Sequence, residues 1–364
     1  MYIRVMATRI LALALSAVVV ACGDGAGPGG PPRTYWMGFS AIPPRFDSTT
    51  AYLIAAIDNW VPHADAAIMH VSPPWAAMIG GYPPAQAVDT VQVPLANYYR
   101  AKNLAIVFTV DATDGLNRAA EAPELVALGR SITDTAVQRL YREWVYAVAT
   151  KIHPEYLGLV AETNLIKALA PDSVYQALVT VANAAAAQIN AAGVPTKLFV
   201  SVQVETAWGR LGGSGGGGGT YVGIAQDLAD FPFVEAIGLS SYPYLAGFAQ
   251  PEDVPLDYYG RIALEAAKPV LVVEGGWSSI SFDTLVSSRA EQARYIIRQM
   301  QLLDSARATG VFQLTFYDLD LSSMTLPPGS ILPVFAHIGL ADSAFNAKPA
   351  LAEWDRAFRR SYMP

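Results

Sequence analysis

The feature that most constrains the fold is a series of eight short apolar segments, each followed by a stretch with helical spacing. The eight candidate strands are residues 35–40, 66–71, 104–110, 156–160, 197–204, 234–240, 269–274 and 310–316. Continuous apolar runs, rather than alternation, are typical of parallel strands that are buried on both faces. Eight strand–helix units that recur roughly every 40 residues predict an α/β chain folded as a single (β/α)₈ barrel.

The segments between the strands support this interpretation. Apolar residues recur at helical spacing in 136–151, 174–192 and 288–306. An open doubly wound sheet is the alternative, but it would place a glycine-rich phosphate turn after the first strand, and residues 38–43 do not form one. The glycine run at 212–219 is not followed by Lys and Ser or Thr, so it predicts a flexible loop rather than a phosphate-binding loop.

The N-terminus has the pattern of a secretory signal. Arg4 and Arg9 precede an apolar run at 10–21 that is too short to span a bilayer comfortably. The run ends in Val-Val-Ala-Cys, which resembles the lipobox of bacterial lipoproteins. We therefore predict that Cys22 is acylated and anchors the protein to a membrane of the cell envelope. The alternative is an ordinary signal peptide that is cut nearby, with an incidental thiol.

These observations divide the chain into three parts. Residues 1–21 are predicted to be the signal peptide, 22–33 a tether rich in Gly and Pro, and 34–364 the barrel domain. The formal net charge is -7, without basic clusters, which argues against a nucleic acid as partner. The single cysteine excludes an intramolecular disulfide. We expect a monomer.

Side chains at the carboxyl ends of barrel strands meet at the mouth of the barrel. The candidates are His70 and Trp75, Asp111, Glu162 and Asn164, Glu205 and Trp208, Tyr242, Glu274 and Trp277, and Phe316. Carboxylates with aromatic faces and few cations suit a carbohydrate ligand. Glycoside hydrolysis needs two carboxyl groups across the scissile bond. Glu162 and Glu274 follow strands four and seven, on opposite sides of the mouth, and are the predicted catalytic pair. Glu205 is the rival acid.

Other chemistries fit the sequence less well. There are four histidines, but no H-x-H or H-E-x-x-H pattern, and no G-x-S-x-G segment occurs. We therefore predict neither a metal nor a cofactor. A weaker alternative is a barrel hydrolase with Asp111, Glu205 and His70 as metal ligands. His153 comes directly before a proline at a predicted helix end and is interpreted as structural.

Two motifs and the tail carry a family resemblance. They are Ile237-Gly-Leu-Ser-Ser-Tyr-Pro-Tyr244, Pro269-Val-Leu-Val-Val-Glu-Gly-Gly-Trp277, and a tail with Gly339-Leu340, Lys348-Pro349-Ala350-Leu351 and Trp354. The chain resembles the clan A glycoside hydrolases, which are retaining (β/α)₈ enzymes, and it is most similar to the endo-β-1,4-galactanases of family 53. The resemblance covers about residues 35–358 and is most specific between 234 and 277.

The resemblance implies roles for several residues. Glu274 would be the nucleophile and Glu162 the acid/base, with Tyr242 hydrogen-bonded to the nucleophile. The sugar platforms would be Trp277, Trp208 and Trp75. Glu205, His70, Asp111, Asn164 and Phe316 would contact the substrate. The implied substrate is a β-linked polysaccharide or oligosaccharide of the galactan or mannan kind.

The sequence departs from the clan pattern at two places. Ala161 stands where the clan has an asparagine before the strand-four acid, and Asn164 is the expected substitute. Phe316 or Tyr317 stands in place of a strand-eight tryptophan. The first departure favours a second hypothesis, a glycan-binding lipoprotein on a barrel that has lost its chemistry.

Overall fold

The structure is a computed structural model that describes residues 30–211, 219–282, 285–327 and 329–364. Its strands are β1 Trp36–Ser40, β2 Ala66–Val71, β3 Ala105–Val110, β4 Tyr156–Gly158, β5 Lys197–Gln203, β6 Ala236–Ser241, β7 Val270–Gly275 and β8 Gly310–Gln313. Each strand pairs in parallel with the next, and β8 closes on β1. The predicted (β/α)₈ barrel is confirmed.

Helices surround the barrel and fill most of its loops. They are α1 Thr50–Trp60, α2 Trp75–Ile79, α3 Pro84–Ala87, α4 Val93–Ala101, α5 Pro123–Ala127, α6 Thr135–Ile152, α7 Thr163–Leu169, α8 Asp172–Ala191, α9 Val204–Ala207, α10 Ala225–Asp230, α11 Gly260–Ala266, α12 Arg289–Ala306, α13 Leu332–Phe335 and α14 Pro349–Phe358. The three periodic segments of the sequence correspond to α6, α8 and α12. Ser288 caps α12 by accepting from two backbone N–H groups of its first turn, which is why this helix begins where it does.

Three strands end earlier than the apolar runs predict. β4 ends at Gly158, β5 ends at Gln203, and β8 ends at Gln313. At β5 the reason is local, because α9 begins at the next residue and the Gln203 side chain caps it by accepting from Thr206 N–H at 2.6 Å. Apolar residues therefore continue past the strands into the loops around the mouth of the barrel.

Large side chains fill the barrel interior. The interior cluster contains Ile68, Val107, Tyr156, Phe199, Leu271, Val273 and Phe312. Glycines on neighbouring strands make room for these rings, since a Cβ at Gly158 would lie 2.6 Å from the Phe199 ring and one at Gly238 would lie 2.8 Å from it. Because the barrel is packed below its mouth, a ligand has space only above this layer.

A bulge in β7 sets the direction of the strand-seven acid. Leu239 of β6 pairs with Val272, but the next residue, Ser240, pairs with Glu274, so that Val273 is an extra residue in β7. With a regular register, Glu274 would lie opposite Ser241. The Ser241 side chain faces the helix layer, where its hydroxyl accepts a hydrogen bond from Tyr259 OH at 3.2 Å. The bulge therefore turns Glu274 from the helix layer toward the mouth.

The predicted N-terminal segments lie largely outside the described residues. The signal peptide, Cys22 and the tether up to residue 29 are not described, nor are residues 212–218 of the glycine run. Arg33, the last residue of the predicted tether, is already packed: its Nη2 lies 2.6 Å from Asp65, and it bridges to Tyr362. Within the described part of the chain, no helix combines the length and the apolarity that crossing a membrane requires.

Candidate active site

A cleft of about 420 Å³ opens at the carboxyl ends of the strands. It brings together five of the residues that the sequence predicted for the site, His70, Asp111, Glu162, Tyr242 and Glu274. Three further polar residues that line it, Asn117, Arg118 and Gln203, were not predicted. The remaining wall is mostly apolar: Ile42, Phe46, Leu116, Leu165, Leu169, Leu211, Leu245, Leu314, Leu319, Ile331, Leu332 and Phe335.

The backbone N–H and both carboxyl oxygens of Glu162 are hydrogen-bonded. Glu162 precedes α7 with a left-handed backbone (φ 50°, ψ 49°), a conformation that non-glycine residues adopt at a cost and mostly at functional sites. Its N–H donates to Ser201 Oγ at 2.9 Å. Arg118 Nε donates to its Oε2 at 2.7 Å, and Ser240 Oγ donates to its Oε1 at 2.6 Å. Both carboxyl oxygens therefore accept hydrogen bonds, and the one from Arg118 is charge-assisted.

Arg118 links the carboxylates of two strands. It is only 6% exposed, and its Nη1 lies 2.5 Å from Asp111 Oδ1 and 3.0 Å from Thr113 Oγ1. One buried cation therefore joins the acid that follows β3 to the acid that follows β4. Arg118 lies in the loop after β3, and no motif marks it. Sequence reasoning could have found it only indirectly, because buried carboxylates need a cation as partner.

Glu274 has a different environment. It is partly exposed to the cleft, and burial together with the negative charge of Glu162 raises its pKa to about 8, although the charge of Arg118 acts against this rise. Near neutral pH Glu274 thus keeps its proton. This resting state differs from the role that the family resemblance implies for Glu274, in which the strand-seven acid attacks as a carboxylate.

Tyr242 lies beside this pair. Burial, and after it the charge of Glu274, raises the pKa of the phenol well above its ordinary value. The phenol therefore stays neutral and available as a donor. Its ring packs edge-on against Phe335 with the centroids 5.0 Å apart, which fixes its position at the cleft wall.

His70 supports the bulge. Burial lowers the pKa of its imidazole, so the ring is neutral, and its Nε2 lies 3.0 Å from the carbonyl oxygen of Val273. A carbonyl can only accept, so Nε2 carries the hydrogen. Because Val273 is the extra residue of β7, His70 holds the backbone that directs Glu274 into the cleft.

Glu205, the rival acid, lies behind the cleft. It is fully buried and accepts hydrogen bonds from Ser241 Oγ at 3.1 Å, Tyr242 N–H at 3.1 Å and Tyr258 OH at 3.0 Å, and also from the Gln203 side chain. Burial raises its pKa to about 7. Its position supports neither a catalytic role nor the metal-site alternative. Among the described residues, no group of three or more His, Cys, Asp or Glu is placed to hold a metal ion.

Asn164 does not fill the place of the missing asparagine. Its Oδ1 accepts from Gln203 N–H at 2.8 Å, and its Nδ2 donates to Gln203 O at 2.9 Å, so the amide ties α7 to the end of β5. Ala161 is itself buried. The expectation that Asn164 contacts the substrate is not supported by its position.

The four large aromatic residues that were predicted at the mouth belong to the core instead. Trp75 stacks on Tyr141, Trp208 donates to Tyr258 O at 3.0 Å, Trp277 donates to Ser287 Oγ at 3.0 Å, and Phe316 packs on Phe39. They are between 1% and 8% exposed and do not line the cleft. Their positions do not support the predicted sugar platforms, because the loop helices turn these rings inward to cover the ends of the strands.

No protein-family model matches the sequence, and no curated protein matches it significantly. Among solved structures, an exo-β-1,4-mannosidase from Opitutaceae bacterium strain TAV5 superposes with a TM-score of 0.66 at 14% identity, over 93% of this chain and 61% of that chain. The family 53 catalytic domain of Ignisphaera aggregans superposes with a TM-score of 0.61 at 15% identity, over 93% of this chain and 99% of that one.

A β-glucosidase from Thermotoga maritima superposes with a TM-score of 0.56 at 10% identity, over 86% of this chain and 87% of that one. The chain spans 61% of the mannosidase and 51% of a Ruminococcus gnavus β-glucuronidase, but almost all of the family 53 domain. At these identities the likeness shows the fold. The chain therefore has the (β/α)₈ fold of the glycoside hydrolases to which its sequence motifs are similar, including that of family 53.

Proposed function

We propose that the protein is a retaining glycoside hydrolase that cleaves a β-linked glycoside by double displacement with Glu162 and Glu274. The observation that carries the proposal is the meeting of these two carboxyl groups in one cleft with different environments: Glu162 accepts hydrogen bonds from Arg118 and Ser240, and the pKa of Glu274 is raised to about 8. A carboxyl group with a raised pKa beside a second carboxyl group in a cleft is typical of acid–base catalysis.

The close approach of the two acids supports retention. Ser240 donates to Glu162 and lies opposite Glu274 in the strand register, and the charge of Glu162 raises the pKa of Glu274, so the two acids are neighbours in the cleft. Retaining enzymes need such proximity, because one carboxylate attacks the anomeric carbon without an intervening water.

The order of events follows from the resting proton. As the glycosidic bond of a sugar bound over Glu274 begins to break, positive charge develops at the anomeric centre, and this charge favours the ionised form of Glu274. In the proposal the proton passes through the Ser240 hydroxyl to Glu162. Glu162 then protonates the leaving oxygen while Glu274 forms the glycosyl-enzyme, and Glu162 finally takes a proton from the attacking water.

The test is the stereochemistry of azide rescue, on an activated β-glycoside that the wild type cleaves. Glu274→Gly is expected to give the α-glycosyl azide, because azide enters the face that the nucleophile has left. Glu162→Gly is expected to give the β-glycosyl azide, because azide attacks the α-linked glycosyl-enzyme. The reverse products would assign the nucleophile to Glu162.

One observation favours a second candidate function, a glycan-binding protein without chemistry. Arg118 and Ser240 occupy both oxygens of Glu162, and Ala161 offers no contact to a sugar 2-hydroxyl. Glycan binding that survives Glu162→Gln, with no release of reducing ends by the wild type, would select this function.

We also propose that an acyl chain on Cys22 anchors the protein to the cell envelope. The described chain enters the barrel through Arg33, at the amino end of β1, and the cleft lies at the opposite end of the strands. An anchor on that side leaves the cleft directed away from the membrane. Loss of the protein from the membrane fraction on Cys22→Ser is the expected result, and unchanged membrane association would contradict the anchor.

A further inference from the structure

We propose that the cleft selects β-glycosides with an apolar aglycone, an alkyl or aryl group, rather than a chain of further sugars. The inference rests on the proposed function, since it assigns the part of the cleft above Glu162 and Glu274 to the leaving group of that reaction.

The cleft is divided by polarity. Most of its polar groups gather at the strand ends, where Arg118 and the two glutamates lie. Above them, the loops after β1, β3, β4 and β8 contribute mostly apolar side chains, together with the exposed Asn117. Four of these are well exposed at the rim: Phe46 at 48%, Leu116 at 40%, Leu169 at 46% and Ile331 at 43%. Exposed apolar side chains scattered singly are ordinary, but a ring of them around a pocket marks a binding surface.

We assign the polar end of the cleft to one sugar. His70, Asp111, Arg118, Gln203 and Tyr242 supply donors and acceptors there, in a cleft whose whole volume is about 420 Å³. Further along, the wall carries mostly leucine, isoleucine and phenylalanine, and Asn117 is the polar side chain there that could bind a hydroxyl group. A second sugar ring would bury most of its hydroxyl groups against the apolar side chains without partners, which is unfavourable. An alkyl or aryl group would instead bury apolar surface.

The aromatic rings in the described wall of the cleft are those of Phe46, Tyr242 and Phe335. No tryptophan of the described residues lines the cleft, and the tryptophans at the strand ends face the core. A hydrophobic wall next to a single polar subsite is the arrangement that a glycoside with one sugar and an apolar aglycone requires.

The experiment compares methyl, butyl and hexyl β-glycosides of galactose, glucose and mannose with the matching β-1,4-linked disaccharides, using the full chain. Each buried methylene is worth about 0.8 kcal/mol, so kcat/KM is expected to rise roughly two- to fourfold per methylene from methyl to hexyl. The disaccharides are expected to be cleaved more slowly than the hexyl glycoside of the same sugar. A flat series, or a preference for disaccharides, would overturn the proposal.

Matched variants locate the effect. Leu169→Asn, at the rim, is expected to reduce the gain per methylene by half or more. Leu128→Asn is the control, because Leu128 is 44% exposed and lies outside the cleft. It should leave the series unchanged, and equal behaviour of the two variants would contradict the proposal.

The two proposals fail in different ways. If no glycoside of the panel is hydrolysed, the proposed function fails, and the aglycone preference is then tested by calorimetric titration of the same alkyl glycosides. Affinity that rises with chain length and falls with Leu169→Asn keeps the apolar subsite, whereas affinity that is independent of chain length removes it. If hydrolysis occurs with a flat series, only the aglycone inference fails.

Discussion

Replacing Glu274 by glutamine should stabilise the fold at alkaline pH and leave it unchanged in acid. The pKa of Glu274 rises from 4.5 to about 8 on folding because the carboxyl is buried beside Glu162. Between these two pH values the unfolded chain has lost the proton that the folded chain keeps. The wild type therefore loses stability as the pH rises through this window.

The magnitude follows from the shift. Each pH unit costs the folded state about 1.4 kcal/mol, which gives an upper limit of about 5 kcal/mol at pH 8. Because the cleft is open to water, we expect Glu274→Gln to gain about 2 to 4 kcal/mol at pH 8 and close to zero at pH 4.5. Glutamine keeps the size of the side chain and cannot ionise, so packing changes little.

The assay is urea-induced unfolding at pH 4.5, 6.3 and 8, with the free energy of unfolding extrapolated to water. The control is Glu143→Gln, an exposed residue that forms an i,i+4 pair with Arg139 and should change stability by no more than about 0.5 kcal/mol at each pH. The reasoning would be refuted if the Glu274→Gln variant were no more stable than the wild type at pH 8. It would also be refuted if the variant gained as much free energy of unfolding at pH 4.5 as at pH 8.

Three further predictions concern the site. Activity should fall about tenfold per pH unit above about pH 8, where Glu274 loses its proton. Arg118→Met should move this alkaline decline in activity to higher pH, because Arg118 lowers the pKa of Glu274. Profiles of kcat/KM against pH check both predictions. His70→Phe removes the donor to the Val273 carbonyl and should lower kcat about 10- to 100-fold at nearly constant KM. His70→Gln keeps a donor and should therefore recover part of this loss in steady-state assays. Glu205→Gln should keep activity within about fivefold while Glu205→Ala destabilises by about 2 to 4 kcal/mol, and strong loss of activity in a stably folded Glu205→Gln would contradict its structural role.

Much of the architecture was predictable because it depends on local patterns. Apolar runs bounded by helical periodicity identified all eight strands, and the strand ends identified Glu162, Glu274, Tyr242, His70 and Asp111 as neighbours. In a barrel, all strands run in the same direction, so residues that follow them must meet at one end. Where the apolar runs continue beyond the strands, as after Gln313, the predicted strand ends were too late, because composition does not show where strand pairing stops.

The aromatic residues were harder to place. A tryptophan that follows a strand can face the ligand or cover the strand end, and the sequence is the same in both cases. The orientation of the Trp277 side chain is fixed by Ser287, to which its indole N–H donates. The orientation of Trp208 is fixed in the same way by the carbonyl oxygen of Tyr258. Both partners are distant enough in the chain that only the packing of the loops shows them.

The sequence by itself determined that eight buried strands alternate with helices, and that an acid follows each of strands four and seven. Only the tertiary structure decided how those acids are charged and where they point. Arg118 reaches Glu162 across 44 positions of the chain, and the register between β6 and β7 skips Val273, so that Glu274 faces Ser240 inside the mouth. The physical reason is that alternation along a strand is local, whereas register and ion pairing depend on neighbours that only folding brings together.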